Sequence, residues 1–493
     1  MSAFSSKIVS SGKWVGGLRI AQKILGFAKN IILARLLAPD DFGLFGVAVL
    51  ILTGFETLSK VGVKAAVIQA EEVDELFLHT AYWLKIARGA LIGLTAFLVA
   101  PLVAQFFGEP QAADLVRVLA LTAFIGSFSS IGTALLQKEF DFRRHSLYRF
   151  IRIATLVGTS IIFAFILQNA WALVWGILAE KIVSVVVSFF FHPYRPRFRF
   201  DWSRAKSIFD FGVWLFLAGL VQYASLNLDD IMLGRWAGAA ALGLYQMAFV
   251  VGNIIAQEFS GVIERVMFPA FAEIQGDRER TRRVFEQLFT VTATIIVPSA
   301  VGLAVVSPEF VTVVFDDKWL PMIPLVTILS FSAAFRALSS VQTTLFVGVG
   351  KPNLMFYGTF VRSIVLVLVL YPLFLLLEAE GIALAAALST LSALCFYYIY
   401  IRRILGPEER LLTRLLPSVL ASGVMAGVLI GLKQVVSATA VIQLPLLITC
   451  GVVIYFVALF PLERLTGNNT VELLTGLFRK LRERAASDDA DAE

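Results

Sequence analysis

Two basic side chains stand one helical turn apart inside the first apolar segment of the chain. Arg19 and Lys23 are four residues apart, and the helical face that they share otherwise carries small or polar side chains. That face comprises Gly12, Gly16, Arg19, Lys23, Gly26 and Asn30, with Gln22 and Lys29 beside it. Arginine offers a fork of N–H donors and lysine a point charge, and both suit phosphate oxygens. The pattern predicts a hydrated, electropositive cavity that receives an anionic headgroup such as a pyrophosphate.

Further bases interrupt other apolar segments. A lysine or arginine near the centre of a bilayer costs about 2.5–3.5 kcal/mol on insertion scales, so each one requires water, a partner or a ligand. Such bases, within or at the ends of apolar segments, are Arg19, Lys23, Lys29, Arg35, Lys85, Arg88, Arg152, Lys181, Arg336 and Arg362. The candidates for substrate binding are Arg19, Lys23, Lys29, Asn30, Lys85, Arg88, Arg336 and Arg362. In the alternative interpretation, Arg19 and Lys23 extend to the membrane surface and Lys29 pairs with an acid on another helix.

The composition indicates which elements position these side chains. Of the 493 residues, 58% are hydrophobic and 16% charged, and the mean hydropathy is +0.81. Soluble domains average about a quarter charged residues, so the chain is predicted to be an all-α, polytopic membrane protein. At about 20 apolar residues per span, its length allows about fourteen transmembrane helices and leaves no room for a soluble catalytic domain.

Hydrophobic segments between polar breaks predict where the spans lie. They fall near residues 12–37, 42–62, 78–104, 115–136, 147–167, 170–191, 207–228, 242–263, 284–307, 321–347, 354–376, 382–401, 412–432 and 444–461. The lysines and arginines of the loops concentrate on one side, and the other side has only Arg117, Arg235, Lys318 and Lys433. Because cytoplasmic loops carry the excess of basic residues, both termini are predicted to be cytoplasmic.

The sequence repeats itself at an offset of 200 residues. Gly12, Trp14, Gln22, Ile31, Leu33, Arg35, Gly43, Leu44 and Ala48 recur as Gly212, Trp214, Gln222, Ile231, Leu233, Arg235, Gly243, Leu244 and Ala248. Six predicted spans separate the copies, so this is a parallel repeat with a substrate site expected between its halves. It predicts two six-helix lobes related by a pseudo-two-fold axis, at residues 1–205 (spans 1–6) and 206–410 (spans 7–12). Two extra spans (411–462) follow, and then a cytoplasmic amphipathic helix with an acidic tail (463–493).

The repeat aligns acidic residues with a basic one. Lys29 and Asn30 correspond to Asp229 and Asp230. If the copies face each other, opposite charges lie at equivalent depths, and Lys29 with Asp229 or Asp230 forms part of an outer gate. In the alternative interpretation the two aspartates occupy a polar helix end.

Three more acids interrupt apolar segments, namely Glu56, Glu180 and Glu258. They either bind a coupling Na⁺ or H⁺ or neutralise neighbouring bases such as Lys60 and Lys181. Glu56 and Glu258 join Asp229 and Asp230 as candidates for gating or ion coupling.

Three blocks carry a family resemblance. They are LARLLAPDDFGLFGVAVLILTGFETLSKVGVKAAVIQ (33–69), ALLQKEFDFRRHS (134–146) and FGVWLFLAGLVQYASLNLDDIMLGRWAGAAALGLYQMA (211–248). They resemble the bacterial polysaccharide flippases, the Wzx-type exporters of the multidrug/oligosaccharidyl-lipid/polysaccharide superfamily, and most closely the exopolysaccharide and colanic-acid branch. The resemblance implies two six-helix lobes around a central cavity, which flip undecaprenyl-pyrophosphate-linked oligosaccharides across the cytoplasmic membrane by alternating access. It implies lipid-linked oligosaccharide and membrane lipids as partners, together with polysaccharide polymerase and chain-length machinery.

Three other functions compete with this one. A lipid II flippase needs the same anionic-headgroup cavity and stays open. An ion-coupled drug exporter of the same superfamily handles mainly cations, which the bases Arg19, Lys23, Lys85 and Arg88 disfavour. A polysaccharide polymerase or ligase needs catalytic groups on a substantial outer loop, and the longest here is about a dozen residues (308–320), so no enzyme is predicted.

No cofactor or metal site is predicted. GVGKPN (348–353) lacks the spacing and the Ser/Thr of a phosphate loop. His79, His145 and His192 lack metal-ligand spacing, and Cys395 and Cys450 each lie in an apolar run. The basic, aromatic stretch RPRFRFDWSRAK (195–206) is predicted to be an interfacial anchor and not a nucleic-acid patch.

Overall fold

The computed structural model describes residues 2–58, 67–68, 74–274, 276–406, 411–436 and 439–466. Within those ranges the regular secondary structure is helical, which confirms the all-α prediction. The helices are α1 (Ser2–Leu36), α2 (Pro39–Leu58), α3 (Glu75–Phe107), α4 (Ala112–Ser127), α5 (Gly132–Lys138), α6 (Phe142–Leu167), α7 (Trp171–Phe191), α8 (Trp202–Ile274), α9 (Arg278–Val314), α10 (Ile323–Gly348), α11 (Pro352–Leu405), α12 (Leu411–Val435) and α13 (Ala440–Thr466). A 3₁₀ helix (Asp317–Met322) precedes α10. The predicted tail helix falls in residues 467–493, outside the described ranges.

Nine helices in the described part of the chain are long and apolar enough to cross a membrane. The number rises to ten if α4 and α5, which meet at 61°, form one broken span. Backbone breaks also interrupt the long helices α8, at Gly238, and α11, at Glu378. The helices overlap every predicted apolar segment, so the multi-pass prediction is confirmed, whereas the count of fourteen stays a prediction.

Local sequence signals set several helix ends. Asp74 and Asp141 are the N-caps of α3 and α6, and each side chain accepts a hydrogen bond from the backbone N–H three residues later. Helix α3 ends at Gly108, whose φ of 72° lies in the left-handed region that glycine tolerates. These short-range signals therefore fix the residues at which α3 and α6 begin.

The chain forms two compact units, Met1–Leu244 and Tyr245–Glu493, with the boundary inside α8. In the first unit α1 packs on α6, α3 on α4, and α7 on α4 and α6. In the second unit α9 packs on α10, α12 and α13, and α10 packs on α11. The division into lobes at residues 1–205 and 206–410 remains a prediction.

Two glycines from the repeat make reciprocal close contacts within the first unit. A Cβ added at Gly43 would lie 1.7 Å from the carbonyl oxygen of Ala239, and one at Gly243 would lie 1.9 Å from that of Pro39. At the offset of the repeat, Gly43 corresponds to Gly243 and Pro39 to Ala239. A local two-fold axis between the two segments would produce this exchange of partners, so the contacts agree with the repeat found in the sequence.

A proline inside α9 leaves one backbone carbonyl without its helical hydrogen bond, and a side chain of α13 supplies the donor. Pro298 lacks the N–H that would bond to the carbonyl of Thr294, and the buried Tyr455 hydroxyl donates to that carbonyl instead, at 2.8 Å. We expect Tyr455→Phe to lower the free energy of unfolding by about 1–3 kcal/mol, because a buried carbonyl loses its donor. Denaturant unfolding in detergent would measure this, with Tyr357→Phe as the matched loss of a hydroxyl from a half-exposed tyrosine. Equal stability of the two variants would contradict the explanation.

Candidate functional site

A cavity of ≈ 500 Å³ lies within the first unit, between α3, α4, α5, α6 and α7. Its lining includes five basic side chains, Lys85, Arg88, Arg149, Arg152 and Lys181, together with the acid Glu56 and several hydroxyls. We call it the cationic cavity.

A broken helix forms one wall of the cationic cavity. Helix α4 ends at Ser127, and α5 starts at Gly132 in a new direction. Such a break frees backbone carbonyls, which is tolerated at membrane depth where they are buried in protein or line a hydrated cavity. Tyr82 donates to the carbonyl of Phe128 at 3.1 Å, and Lys85 Nζ donates to the carbonyl of Ser129 at 2.5 Å and to its hydroxyl at 2.6 Å. The break and Lys85 therefore hold each other in place.

An ion-pair cluster forms the opposite wall, on α6 and α7. The buried Glu180 accepts a hydrogen bond from Arg152 Nε, and its other oxygen lies 3.7 Å from Lys181 Nζ. Neutralisation of Lys181 by Glu180, one of the two roles predicted for this acid, is present in the structure. The Arg152 guanidinium also lies 5.6 Å from the centre of the Tyr148 ring, and the Tyr148 hydroxyl is 2.6 Å from Ser184 Oγ. These contacts orient Arg152 and leave part of it facing open space, since its side chain is 33% exposed.

The remaining bases lie between these walls. Arg88 donates to the backbone carbonyl of Glu56 at 2.7 Å, and Arg149 is exposed on α6. Five bases therefore face two acids, Glu56 and Glu180, around one open space. Such a surplus of positive charge attracts an anion, and arginine forks suit the oxygens of a phosphate.

The cationic cavity lies toward one end of its helices. Lys85 is about 15 Å from the start of α3 by helical rise, and the lining residues of α6 lie in its first half. Those of α7, Lys181 and Ser184, lie at and just beyond its midpoint. The loops at that end belong to the basic set that was predicted to be cytoplasmic. An anion arriving from that side therefore meets the basic loops first and the cavity next.

The structure brings together only part of the predicted set of binding residues. Lys85 and Arg88 line the cationic cavity. On α1, Arg19 and Lys23 are exposed and Lys29 and Asn30 are partly buried, and none of the four lines it.

Arg336 and Arg362 belong to the second unit, and both are partly buried. The Arg336 guanidinium lies 4.8 Å from the centre of the Phe249 ring. The part that these two arginines play in binding stays a prediction.

Three lining bases were outside the predicted set. Arg152 and Lys181 belong to the bases found within apolar segments but not to the predicted binding residues, and Arg149 belongs to neither set. The signal that could have found them is their spacing, because Tyr148, Arg149 and Arg152 fall on neighbouring positions of one helix.

The gate and coupling candidates are placed as follows. Glu56 lines the cationic cavity, Asp229 is buried, and Asp230 is partly buried. The side chain of Glu258 lies outside the described residues. Pairing of Lys29 with Asp229 or Asp230, and ion coupling by any of these acids, remain predictions.

The second unit contains an apolar cavity. It measures ≈ 380 Å³ and lies between α9, α12 and α13, with Val306, Met425, Leu429 and Leu447 in its walls. Its lining is almost entirely apolar, so it cannot repay the desolvation of a charged headgroup. The cationic cavity is the better candidate for an anionic ligand.

The sequence matches a protein family over more than half of its length. The profile of the family described as "Polysaccharide biosynthesis protein" matches residues 32–324. The chain is 27% identical to the lipopolysaccharide biosynthesis protein WzxC of Escherichia coli (strain K12), over 82% of this chain and 83% of that protein. It is also 27% identical to the teichuronic acid biosynthesis protein TuaB of Bacillus subtilis (strain 168), over 81% and 80%. These relatives confirm the family resemblance predicted from the three sequence blocks.

A solved structure shares the fold. The lipid II flippase MurJ, in an inward closed conformation, superposes with a TM-score of 0.74 over 91% of this chain and 98% of its own. The sequence identity is 14%, so the likeness concerns the fold alone.

Proposed function

Because the chain belongs to the polysaccharide biosynthesis protein family, we propose that it flips a lipid-linked oligosaccharide across the bacterial cytoplasmic membrane. The cationic cavity holds the phosphates of the carrier lipid, an undecaprenyl pyrophosphate, while the polyprenyl tail remains in the bilayer. Alternating access then exposes the headgroup to the other side, for surface or exopolysaccharide biosynthesis. The family match and the two named biosynthesis relatives support this function.

One observation carries the assignment of the site, namely five bases around one open cavity beside two acids. Without a ligand, these charges repel one another in a region where solvation by water is limited. A pyrophosphate relieves the repulsion and accepts several charge-assisted hydrogen bonds. The arrangement is therefore more favourable with an anionic headgroup than without one.

The relatives suggest what the cavity recognises. Their names refer to two different polymers, lipopolysaccharide and teichuronic acid. A site that binds the phosphates of the carrier, and not one particular sugar, fits relatives that serve different polymers. We infer that Lys85, Arg88, Arg149, Arg152 and Lys181 contribute the general part of recognition and that other polar contacts select the sugar.

Orientation and partners follow from the same proposal. The basic loops lie beside the mouth of the cavity, and basic loops face the cytoplasm. Both termini are then cytoplasmic, and the headgroup is loaded from the inner leaflet. Polysaccharide polymerase and chain-length proteins would be functional partners, because a flipped unit is the material that they use.

The alternatives have less support. The likeness to MurJ concerns the fold and does not favour lipid II over another carrier-linked glycan. An exporter of cationic drugs would have to bring its substrate next to Lys85, Arg149 and Arg152, where charge repulsion opposes binding.

Transport by the purified, full-length chain in proteoliposomes tests the function. We expect protein-dependent movement of a short-chain polyprenyl-pyrophosphate oligosaccharide, scored as access of its sugar to a reagent in the opposite compartment. A fluorescent phosphatidylcholine and a cationic dye serve as comparison substrates and should not move. Export of the dye without movement of the lipid-linked sugar would overturn the proposal. Preferential movement of lipid II would identify lipid II as the substrate in place of the oligosaccharide lipid.

A further inference from the structure

A second basic cavity lies where α6 begins and α7 ends. It has a volume of ≈ 740 Å³, and three arginines face one acid in its lining. The lining comprises Asp141, the N-cap of α6, Arg143, Arg144 and Leu147 of α6, the three phenylalanines 189–191 of α7, and His192, Pro193 and Arg195 of the next loop. None of these residues lines the cationic cavity. We call it the interfacial cavity, because it lies at the end of two membrane-crossing helices.

The loop that forms one rim of the interfacial cavity is fixed on α3. The Tyr194 hydroxyl lies 2.9 Å from His79 Nδ1, and the Arg197 N–H donates to the same nitrogen at 3.2 Å. Trp83 Nε1 donates to the carbonyl of Arg197 at 3.0 Å. Burial raises the pKa of Tyr194, so the phenol stays neutral. The rim is therefore preorganised, which lowers the entropy cost of binding a ligand there.

Hydrogen bonds hold Arg195 in place and leave some of its N–H donors available. Its Nη1 donates to the carbonyls of His192 and Tyr194, at 2.8 and 2.9 Å, and its guanidinium lies 5.8 Å from the centre of the Phe189 ring. These bonds use Nη1, so the Nε and Nη2 donors can serve a ligand. On the other side of the cavity, Nε of the exposed Arg144 lies 3.5 Å from Asp141 Oδ2, a long contact.

Helix stability does not explain the two arginines of α6. They stand in the first turn, where the helix dipole favours acidic side chains. Helices α3 and α9 each have an acid in the first turn, Glu75 and Glu279, in addition to an N-cap aspartate. The first turn of α6 contains no acid, so the N-cap Asp141 is the acid at this helix start beside two arginines. An external anion would compensate both the dipole and the arginines.

The wall of the interfacial cavity is apolar and open to the lipid. Phe190 is 81% exposed and Leu147 is 43% exposed. Large apolar side chains exposed at the end of membrane-crossing helices contact acyl chains. The ligand that fits therefore combines a phosphate with hydrocarbon chains, a chemistry that basic pockets at the membrane surface are suited to bind.

We propose that the interfacial cavity binds the headgroup of an anionic glycerophospholipid. Its phosphate bonds to Arg143, Arg144 and Arg195, and its acyl chains lie along Phe190 and Leu147. This site is independent of the proposed transport function, since it shares no lining residue with the cationic cavity. It anchors α6 and α7, which supply Arg149, Arg152 and Lys181 to that cavity, at a fixed depth in the membrane.

Titration of the purified, full-length chain in neutral detergent with phosphatidylglycerol tests the proposal. We expect the melting temperature to rise with phosphatidylglycerol and not with phosphatidylcholine. In the triple variant Arg143→Gln/Arg144→Gln/Arg195→Gln the apparent affinity should fall at least about tenfold, because charge-assisted hydrogen bonds to the phosphate are lost. The control is Arg283→Gln, which removes an exposed arginine near the start of α9, and it should titrate like the wild type.

Three results would overturn the assignment. The first is a wild-type response in the triple variant. The second is an equal rise in melting temperature with phosphatidylcholine. The third is an equal rise with inorganic phosphate at the same phosphate concentration, which would indicate a simple anion site. If the triple variant does not fold, Arg195→Gln alone should still weaken binding, with bound lipid counted by native mass spectrometry.

Discussion

The double substitution Lys85→Gln/Arg152→Gln should reduce transport of the lipid-linked oligosaccharide about 100-fold or more. Each base provides at least one charge-assisted hydrogen bond to a phosphate, worth about 1.5–3 kcal/mol. Since 1.4 kcal/mol corresponds to about tenfold, the loss of two such bonds gives the expected effect. Glutamine keeps a donor near Ser129 and Glu180, so the walls of the cavity should stay folded. The initial rate in proteoliposomes, at substrate concentrations below saturation, is the quantity to measure.

A matched control comes from α4. Arg117→Gln removes a partly buried arginine that pairs with Asp114 at 2.8 Å, at the end of α4 away from the cavity lining. It should transport at the wild-type rate. If the double variant and Arg117→Gln transport equally well, the cationic cavity is not the path of the headgroup.

The largest effect on stability is expected at Gly43. Its Cβ would lie 1.7 Å from the carbonyl oxygen of Ala239, a distance that forces two backbones apart. Overpacking commonly costs about 1–3 kcal/mol, and backbone has less freedom to yield than a side chain, so Gly43→Ala should cost about 3 kcal/mol or more. Denaturant unfolding of the purified protein would measure the change.

The reciprocal contact makes a second, stricter test possible. Once Gly43→Ala has separated the segments, Gly243→Ala should cost less than it does alone, so the double variant should be more stable than the sum of the single losses implies. Gly158→Ala is the control, since nothing lies within 4 Å of an added Cβ there and its effect should stay within about 1 kcal/mol. Strict additivity would show that the two glycines do not share one interface.

The helices could be predicted because the apolar length of a span is a local property of the sequence. The break at Glu378 falls between the predicted spans 354–376 and 382–401, where Glu378 and Glu380 interrupt the apolar run. The 61° break between α4 and α5 was not predicted, although the serines and the glycine between residues 127 and 132 were a signal for it. Whether such a segment bends depends on partners that satisfy its carbonyls, here Tyr82 and Lys85, which lie more than forty residues away in sequence.

The sequence alone predicts only part of the candidate site. Lys85 and Arg88 stood out because charge inside an apolar segment is costly, whichever side it faces. Cost alone does not distinguish a base that lines a cavity from one that is exposed on its helix, which is where Arg19 lies. Arg152 and Lys181 are among the bases found within apolar segments but not among the predicted binding residues, and the sequence does not show that Glu180 pairs with both. Assembly of one site between α3, α4, α5, α6 and α7 requires the tertiary structure.

Protection of the cationic cavity by its ligand is the most direct test of the central claim. A cysteine in place of Thr133, which lines the cavity, would be introduced after replacement of Cys395 and Cys450, and Ser203→Cys, at an exposed position, would serve as the control. A polyprenyl-pyrophosphate oligosaccharide at about ten times its Kd should slow modification of the first cysteine by a water-soluble maleimide about tenfold. It should leave the control unchanged, and the same lipid without phosphate should have little effect. Modification at the same rate with and without the pyrophosphate lipid would contradict the claim that the headgroup binds in this cavity.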